Sequence, residues 1–257
     1  MAVELHPYPR ASTRAAVEFE PIHQLRAHEY VAEQIRRHIA LRLIGPGESL
    51  PSERDLAGMF AVGRPTIQRA IRLLEADRLV KARRGRRGGT FVRKPAETAG
   101  ALDELMARLL CRRPEIEELL VFRRAVEPRV AAQAASTRTT ADLAAISQAI
   151  ASMSSATSEP EYMRHDTGFH LAVARATRNR FMLSAVEDAR MHLADAMSLL
   201  PESDAWHRRL SGEHEAVLAA IQDRDAVGAE HAMNLHVGAS EQGVRAVLAA
   251  ISRRLAA

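Results

Sequence analysis

The chain of 257 residues has almost no cysteine and no long apolar run. Cys111 is its single cysteine, which excludes an intrachain disulfide and a cysteine-rich zinc finger. Nowhere do about 20 apolar residues follow one another, as a membrane span would need. Residues 1–20 also lack the compact apolar core of a signal peptide. We therefore expect a cytoplasmic protein with no membrane partner.

Charge is divided unevenly along the chain. Residues 21–95 contain 16 Lys and Arg against 7 Asp and Glu, a net charge of +9. Residues 96–257 contain 18 against 22, a net charge of −4. A basic first third is typical of a module that meets a polyanion, joined here to a module that does not. A merely asymmetric surface is the alternative interpretation.

The first third predicts three helices and a hairpin. An apolar residue recurs at every fourth position between Val31 and Leu43, which predicts a helix over 28–43. Ser52 is a good N-cap for a second, short helix, because Asp55 three residues later can complete a capping box. A third helix is predicted from Arg64 to Ala76. Strand-like runs at 79–83 and 90–93 flank a glycine-rich basic tip and predict a β-hairpin.

The rest of the chain has helical periodicity throughout. Helices are predicted over about 101–111, 114–136, 139–154, 159–177, 180–200, 203–222 and 225–252. The predicted fold is mainly α: an N-terminal winged helix-turn-helix of three helices and a small β-hairpin, joined to an all-α antiparallel bundle of about seven helices. We expect a flexible arm at 1–20, a basic winged helix-turn-helix domain at 21–94, a linker at 95–101 and an all-helical domain at 102–257.

A winged helix-turn-helix places its third helix in the major groove, where base edges carry a distinguishing code. Arginine suits such a surface because its guanidinium binds guanine edges or phosphates. The candidate DNA-binding residues are Arg54, Arg64, Thr66, Gln68 and Arg69, with Arg86 and Arg87 of the wing. The alternative interpretation, arginines that only solvate a helix face, is the better one for Arg72 and Arg78.

The motifs GPGESLPSERDLA (45–57), FAVGRPTI (60–67) and GTFV (89–92) resemble the GntR family of bacterial regulators over about residues 26–94. This resemblance implies that Arg54, Arg64 and an arginine early in the recognition helix contact operator DNA. The chain departs from the family pattern at Gln68, where an arginine is usual, and at Arg69, where a glutamate is usual. Since Gln pairs best with adenine and Arg with guanine, we expect a different operator sequence.

Three histidines and an aspartate form a second pattern. Asp166 and His170 are four residues apart on a predicted helix and therefore share one face. His214 and His236 lie inside amphipathic helices rather than at solvated ends. Three imidazoles and one carboxylate suit zinc, nickel, manganese or iron, of which zinc is the first candidate. Taken alone, a pair such as Asp166 and His170 on one predicted helix is more often an exposed Asp–His contact than a metal site.

The same residues resemble the FCD effector domain of the FadR-type branch of GntR regulators, over about residues 102–245. The matching motifs are DTGFH (166–170), EH (213–214), His236 and RRAVE (123–127), the last followed by Ala131 and Ala132. The resemblance implies a divalent transition metal that holds a small carboxylate together with a nearby arginine, for which Arg123 is the candidate. Two alternatives stay open: Arg123 forms a surface pair with Glu127, or Arg124 takes its role.

These patterns together predict a metabolite-responsive DNA-binding regulator that is not an enzyme. We expect a homodimer that binds a palindromic double-stranded operator as a repressor and is released by a small carboxylate or sugar-acid effector. Two alternatives are a metal sensor, in which the metal itself is the signal, and a metal-dependent hydrolase. The effector, the operator sequence and the metal are not determined by these residues.

Overall fold

The computed structural model describes residues 26–83, 85, 88–93, 101–197 and 204–256. The N-terminal elements are α1 (Ala27–Ala40), α2 (Glu53–Met59), α3 (Arg64–Ala76), β1 (Val80–Arg83) and β2 (Gly89–Val92). The later elements are α4 (Ala101–Cys111), α5 (Arg113–Thr137), α6 (Thr140–Ser154), α7 (Glu159–Ala176), α8 (Arg180–Met197), α9 (Asp204–Gln222) and α10 (Ala226–Ala256). The predicted mainly α fold is confirmed. Among these described helices, none has the length and apolarity that crossing a membrane requires.

The N-terminal elements pack as a helix-turn-helix with a wing. The Ser52 hydroxyl accepts a hydrogen bond from the Asp55 backbone N–H at 3.2 Å and caps α2, as its sequence predicts. β1 and β2 form the predicted antiparallel hairpin, with Val80 opposite Val92. The apolar core between the three helices and the hairpin consists chiefly of Val31, Ile35, Leu50, Leu56, Ile67, Leu74, Val80 and Val92.

Helix α1 ends earlier than its apolar stripe predicts. The helix stops at Ala40 instead of Leu43, and Arg42 has a positive φ of 58°. The apolar stripe continues past the helix because Leu41 and Leu43 pack against the core of the C-terminal part, not against α3. The regular spacing of Leu43 therefore reflects a contact with the other half of the molecule.

The C-terminal helices form the predicted bundle around two apolar clusters. The larger cluster surrounds Phe169 on α7 and contains Val130, Ile146 and Val217. The smaller cluster joins α4, α5, α8 and α10 through residues such as Leu109, Leu120, Leu193 and Leu248. α10 packs along α5 and α9, and α6 along α7. This arrangement brings the middles of α5, α7, α9 and α10 together.

Besides the apolar contacts of Leu41 and Leu43, ion pairs join the two parts. Arg37 of α1 donates to Asp188 at 2.8 Å and to Glu187 at 3.2 Å, both on α8. Arg42 donates to Asp195 of α8 at 3.0 Å. Glu48 of the α1–α2 loop pairs with Arg164 of α7. The DNA-binding part thus contacts α7, which carries Asp166 and His170, and α8, which packs against α7.

Several predicted features lie outside the described residues. They are the arm at 1–20, wing residues Arg86 and Arg87, and residues 95–100 of the predicted linker, whose last residue begins α4.

Candidate metal centre and nucleic-acid interface

The bundle brings the four predicted ligand side chains into one buried cluster. Asp166 and His170 come from successive turns of α7, His214 from α9 and His236 from α10. All four are at most 3% exposed. Each offers one ligand atom, and these atoms lie within 4.8 Å of one another. The alternative prediction of an exposed Asp–His contact is wrong, because both side chains lie in the interior.

The spacing of the donor atoms fits a metal ion. His170 Nε2 lies 3.2 Å from His236 Nε2 and 3.8 Å from Asp166 Oδ1. His214 Nε2 lies 3.2 Å from the same Asp166 oxygen. Four N and O ligands at bond lengths of about 2.1 Å around a tetrahedral ion are separated by about 3.4 Å. The cluster therefore has the donor set and the dimensions of a transition-metal site.

The protonation states also suit metal binding. Burial lowers the pKa of His170 to about 4, against the opposing effect of Glu127. Burial likewise lowers the pKa of His214 and of His236, so their imidazoles are neutral near pH 7. For Asp166, burial acts to raise the pKa, but Arg190 and the neighbouring histidines hold it well below its usual value. The site thus offers three neutral nitrogens and one ionised carboxylate.

Three of the four predicted ligands have a polar group behind them. Glu127 Oε2 lies 2.5 Å from His170 Nδ1, and Glu213 Oε2 lies 3.3 Å from His236 Nδ1. Arg190 pairs with the second oxygen of Asp166 and donates to the Thr167 hydroxyl at 2.9 Å. Such partners fix ring orientation and ligand basicity in metal sites. His214 differs, because its Nδ1 is buried without a hydrogen-bond partner among the described residues.

Arg190 is a site residue that was not predicted from the sequence. It lies on α8, is 4% exposed, and reaches Asp166 only through the packing of α8 on α7. No local spacing relates the two residues, so a single sequence carries no signal for the contact. Glu127 was recognised as part of a motif, but only as a surface partner of Arg123.

Arg123 is buried beside the cluster. It is 0% exposed, donates to Glu127 Oε1 at 2.5 Å and to the Ser240 hydroxyl at 3.3 Å. The predicted pair with Glu127 exists, but in the interior rather than on the helix surface. Arg123 lines a cavity of about 10 Å³ together with Asp166, His170, Arg190 and His236. Arg124, whose side chain is 48% exposed, points to the outer face near Glu241 instead.

Five of the predicted DNA-binding residues lie on two helices: Arg54 on α2, and Arg64, Thr66, Gln68 and Arg69 on α3. Arg54, Arg64, Gln68 and Arg69 are exposed and Thr66 is half-buried. Glu53 of α2 accepts a hydrogen bond from Gln68 Nε2 at 2.9 Å and one from Arg64 at 3.5 Å. In the hairpin, the Arg83 guanidinium stacks over the Phe91 ring at 4.7 Å from its centroid.

Comparison with known proteins identifies both halves. Residues 27–92 match the family model "Bacterial regulatory proteins, gntR family", and residues 118–239 match the FCD domain. The chain is 32% identical over 198 residues to the HTH-type transcriptional regulator LutR of Bacillus subtilis, covering 75% of this chain and 89% of LutR. The chain belongs to the GntR family.

Two further relatives match most of the chain. The HTH-type transcriptional repressor NanR of Citrobacter rodentium is 28% identical over 222 residues, covering 84% of this chain and 85% of NanR. The Uxu operon transcriptional regulator of Escherichia coli is 29% identical over 233 residues, covering 82% of this chain and 84% of the relative. The chain is thus a DNA-binding transcription regulator with an FCD domain, and the relatives named here are transcription regulators.

Proposed function

We propose that the protein is a metabolite-responsive repressor that binds a palindromic operator as a homodimer. A small carboxylate or sugar acid, held at a metal site in the C-terminal helices, releases it from DNA. The observation that carries this proposal is the buried cluster of Asp166, His170, His214 and His236, with a buried Arg123 beside it. NanR, which is named a repressor, supports the repressor assignment.

On the DNA side, α3 enters the major groove and presents Arg64, Gln68 and Arg69 to base edges. Arg54 and Thr66 bind the adjoining backbone, and Arg86 and Arg87 of the wing follow the phosphates. For this function we propose four segments along the chain. An arm at 1–20 precedes the DNA-binding domain at 21–94, and a linker at 95–101 joins it to an effector-binding and dimerisation domain at 102–257.

Exposed apolar side chains on α5 and α10 support the homodimer. Val121 is 63% exposed and Phe122 41% on α5, and Leu235 is 55% exposed on α10. The two helices pack against each other. We propose that these side chains form one apolar patch to which a second copy binds, since contiguous exposed apolar groups mark contact sites between proteins. A two-fold dimer formed there also matches the symmetry of a palindromic operator.

At the effector site, Asp166, His170, His214 and His236 hold a divalent transition metal, with zinc as the first candidate and nickel, manganese or iron as others. The metal supplies an open coordination position and positive charge for an effector carboxylate. The guanidinium of Arg123 binds the carboxylate oxygen that the metal does not. The dimer can adopt arrangements of its DNA-binding domains that fit the operator well or poorly. The effector weakens DNA binding to the extent that it binds the poorly fitting arrangement more tightly.

A thermal-shift screen of the full-length protein tests this function. Small carboxylic and sugar acids are added with and without a chelator, and the unfolding midpoint is recorded. We expect one acid to raise the midpoint only in the metal-loaded protein. If no acid shifts the midpoint while the chelator alone lowers it, the metal is structural or is itself the signal, and the effector assignment is wrong.

A further inference from the structure

Glu53 is an acidic residue in contact with side chains that the proposed function assigns to operator DNA. It is the first residue of α2, between Ser52, which caps that helix, and the exposed Arg54. A carboxylate at a surface that meets phosphates weakens DNA binding through repulsion. The contacts that Glu53 makes with α3 therefore need an explanation other than affinity for DNA.

One oxygen of Glu53 meets two of the predicted DNA-binding residues. Glu53 Oε2 accepts a hydrogen bond from Gln68 Nε2 at 2.9 Å and lies 3.5 Å from Arg64 Nη2. Arg64 and Gln68 are four residues apart on α3 and therefore share one face of the helix. The contact with Gln68 has the length of a good hydrogen bond, whereas the contact with Arg64 is at the limit of one. Gln68 is therefore the residue that Glu53 holds.

The carboxylate of Glu53 decides which way the amide of Gln68 faces. A glutamine amide has one accepting and one donating end, and an ionised carboxylate only accepts. The Nε2 end must therefore face Glu53, as it does in the structure. Adenine is recognised when the amide oxygen accepts from its N6 and an amide N–H donates to its N7. Gln68 keeps both groups for a base, because Nε2 carries two hydrogens and Glu53 takes only one.

We propose that Glu53 is a positioning residue for operator recognition, which holds the Gln68 amide ready to read adenine before DNA binds. This inference rests on the proposed function, in which Gln68 faces a base edge. Without Glu53, the Gln68 side chain samples several staggered rotamers and both amide orientations, of which only some match adenine. Ordering the side chain in advance lowers the entropic cost of binding the adenine operator alone. Glu53 therefore increases base discrimination and not affinity for DNA in general.

Glu53→Asp tests this role without a change of charge. Aspartate is one methylene shorter and no longer reaches Gln68, but its carboxylate still lies at the N-terminus of α2, where negative charge is favourable. Operators are first selected from a randomised DNA pool with the wild-type protein. Fluorescence anisotropy then gives the Kd for each of the four bases at the position where Gln68→Ala loses its preference.

The expected change is one of specificity. Glu53→Asp should reduce the preference for adenine at that position by at least about threefold in each half-site, since about three staggered wells become accessible to each side-chain torsion. Affinity for DNA without an operator should stay within about twofold, because the charge that meets the phosphates is unchanged. The unfolding midpoint should not change. A merely structural role of Glu53 would not separate these three measurements.

A double-mutant cycle shows whether the effect passes through Gln68. In the Gln68→Ala background, Glu53→Asp should cause no further loss of discrimination, because the side chain that it positions is absent. Glu75→Asp is the matched control. It shortens an acidic side chain seven residues along α3 from Gln68, which accepts a hydrogen bond from the Ala82 N–H at 3.0 Å, and should leave the preference unchanged.

The outcomes separate this inference from the proposed function. The inference is overturned if Glu53→Asp keeps the full preference, if Glu75→Asp loses it equally, or if the preference that Gln68→Ala loses is for a base other than adenine. A loss that persists in the Gln68→Ala background also overturns it, since Glu53 would then act on the base directly. If Gln68→Ala changes no base preference at all, Gln68 reads no base, and that part of the proposed function is wrong as well.

Discussion

The proposed DNA-binding surface and the candidate metal centre contain polar side chains in opposite surroundings. On the recognition helix, the Arg64 side chain is 66% exposed and shares one carboxylate, Glu53, with Gln68. In the metal centre, His214 is 0% exposed and His236 1%. Besides Glu53, these exposed groups remain accessible to a further partner such as DNA. Buried groups are already placed by the apolar packing around Phe169, whose ring lies 4.5 Å from that of His214.

This difference predicts where substitutions act. A change on the exposed surface should leave folding intact and affect DNA binding alone, because surface substitutions cost little stability. A change in the buried cluster removes a ligand and leaves other buried polar groups without a partner.

The largest effect is expected at the metal centre. His236→Ala removes one of four ligands, and we expect metal affinity to fall more than 100-fold, since loss of an outer partner alone costs about 10- to 100-fold. A chelator-competition titration measures the affinity. His231→Ala is the matched control, because His231 is exposed on the same helix, α10, and should leave affinity unchanged. If both variants bind metal with equal affinity, His236 is not a metal ligand.

The next effect is expected on the recognition helix. Arg64→Ala should abolish specific operator binding in a gel shift, because a bidentate arginine–base contact contributes about 1–3 kcal/mol in each half-site. The unfolding midpoint should not change. Arg72→Ala, also exposed on α3, is the control and should weaken binding only slightly. Unchanged affinity in Arg64→Ala would refute its assigned role.

A third prediction concerns base preference rather than affinity. Gln68→Arg should change the preferred base at one operator position from adenine to guanine, by about 1–3 kcal/mol of discrimination. Selection of binding sites from a randomised DNA pool measures the preference of both proteins. Identical selected sequences for the two would mean that Gln68 does not read a base.

The smallest effect is expected at the boundary between the two regions. Arg37→Gln removes the ion pairs with Asp188 and Glu187, which are partly exposed and join α1 to α8. We expect a loss of at most about 1 kcal/mol in unfolding free energy, and a smaller loss at high salt, because such pairs are screened. Urea unfolding at two salt concentrations measures it. A loss of several kcal/mol would show that these pairs are essential to the assembly of the domains.

The same contrast explains what the sequence could and could not predict. The four-residue spacing of Asp166 and His170 fixes a shared face on any helix, so this half of the cluster follows from local geometry. The exposed arginines of α2 and α3 follow from a motif. Arg190, by contrast, meets Asp166 only through tertiary packing of α8 on α7, and no spacing along the chain encodes that contact.

The early end of α1 has the same cause. Periodicity assigns Leu43 to the helix because a single sequence does not say which partner an apolar residue packs against. In the structure, Leu41 and Leu43 belong to the C-terminal core. Local patterns therefore predicted which elements exist, and failed where a residue of one domain is placed by the other.

Elemental analysis shows whether the buried cluster of Asp166, His170, His214 and His236 binds a metal. The full-length protein is purified after growth with added zinc, nickel, manganese and iron, and bound metal is measured per chain. We expect close to one equivalent of a single transition metal. If correctly folded protein contains no bound metal even after supplementation, the cluster is not a metal site.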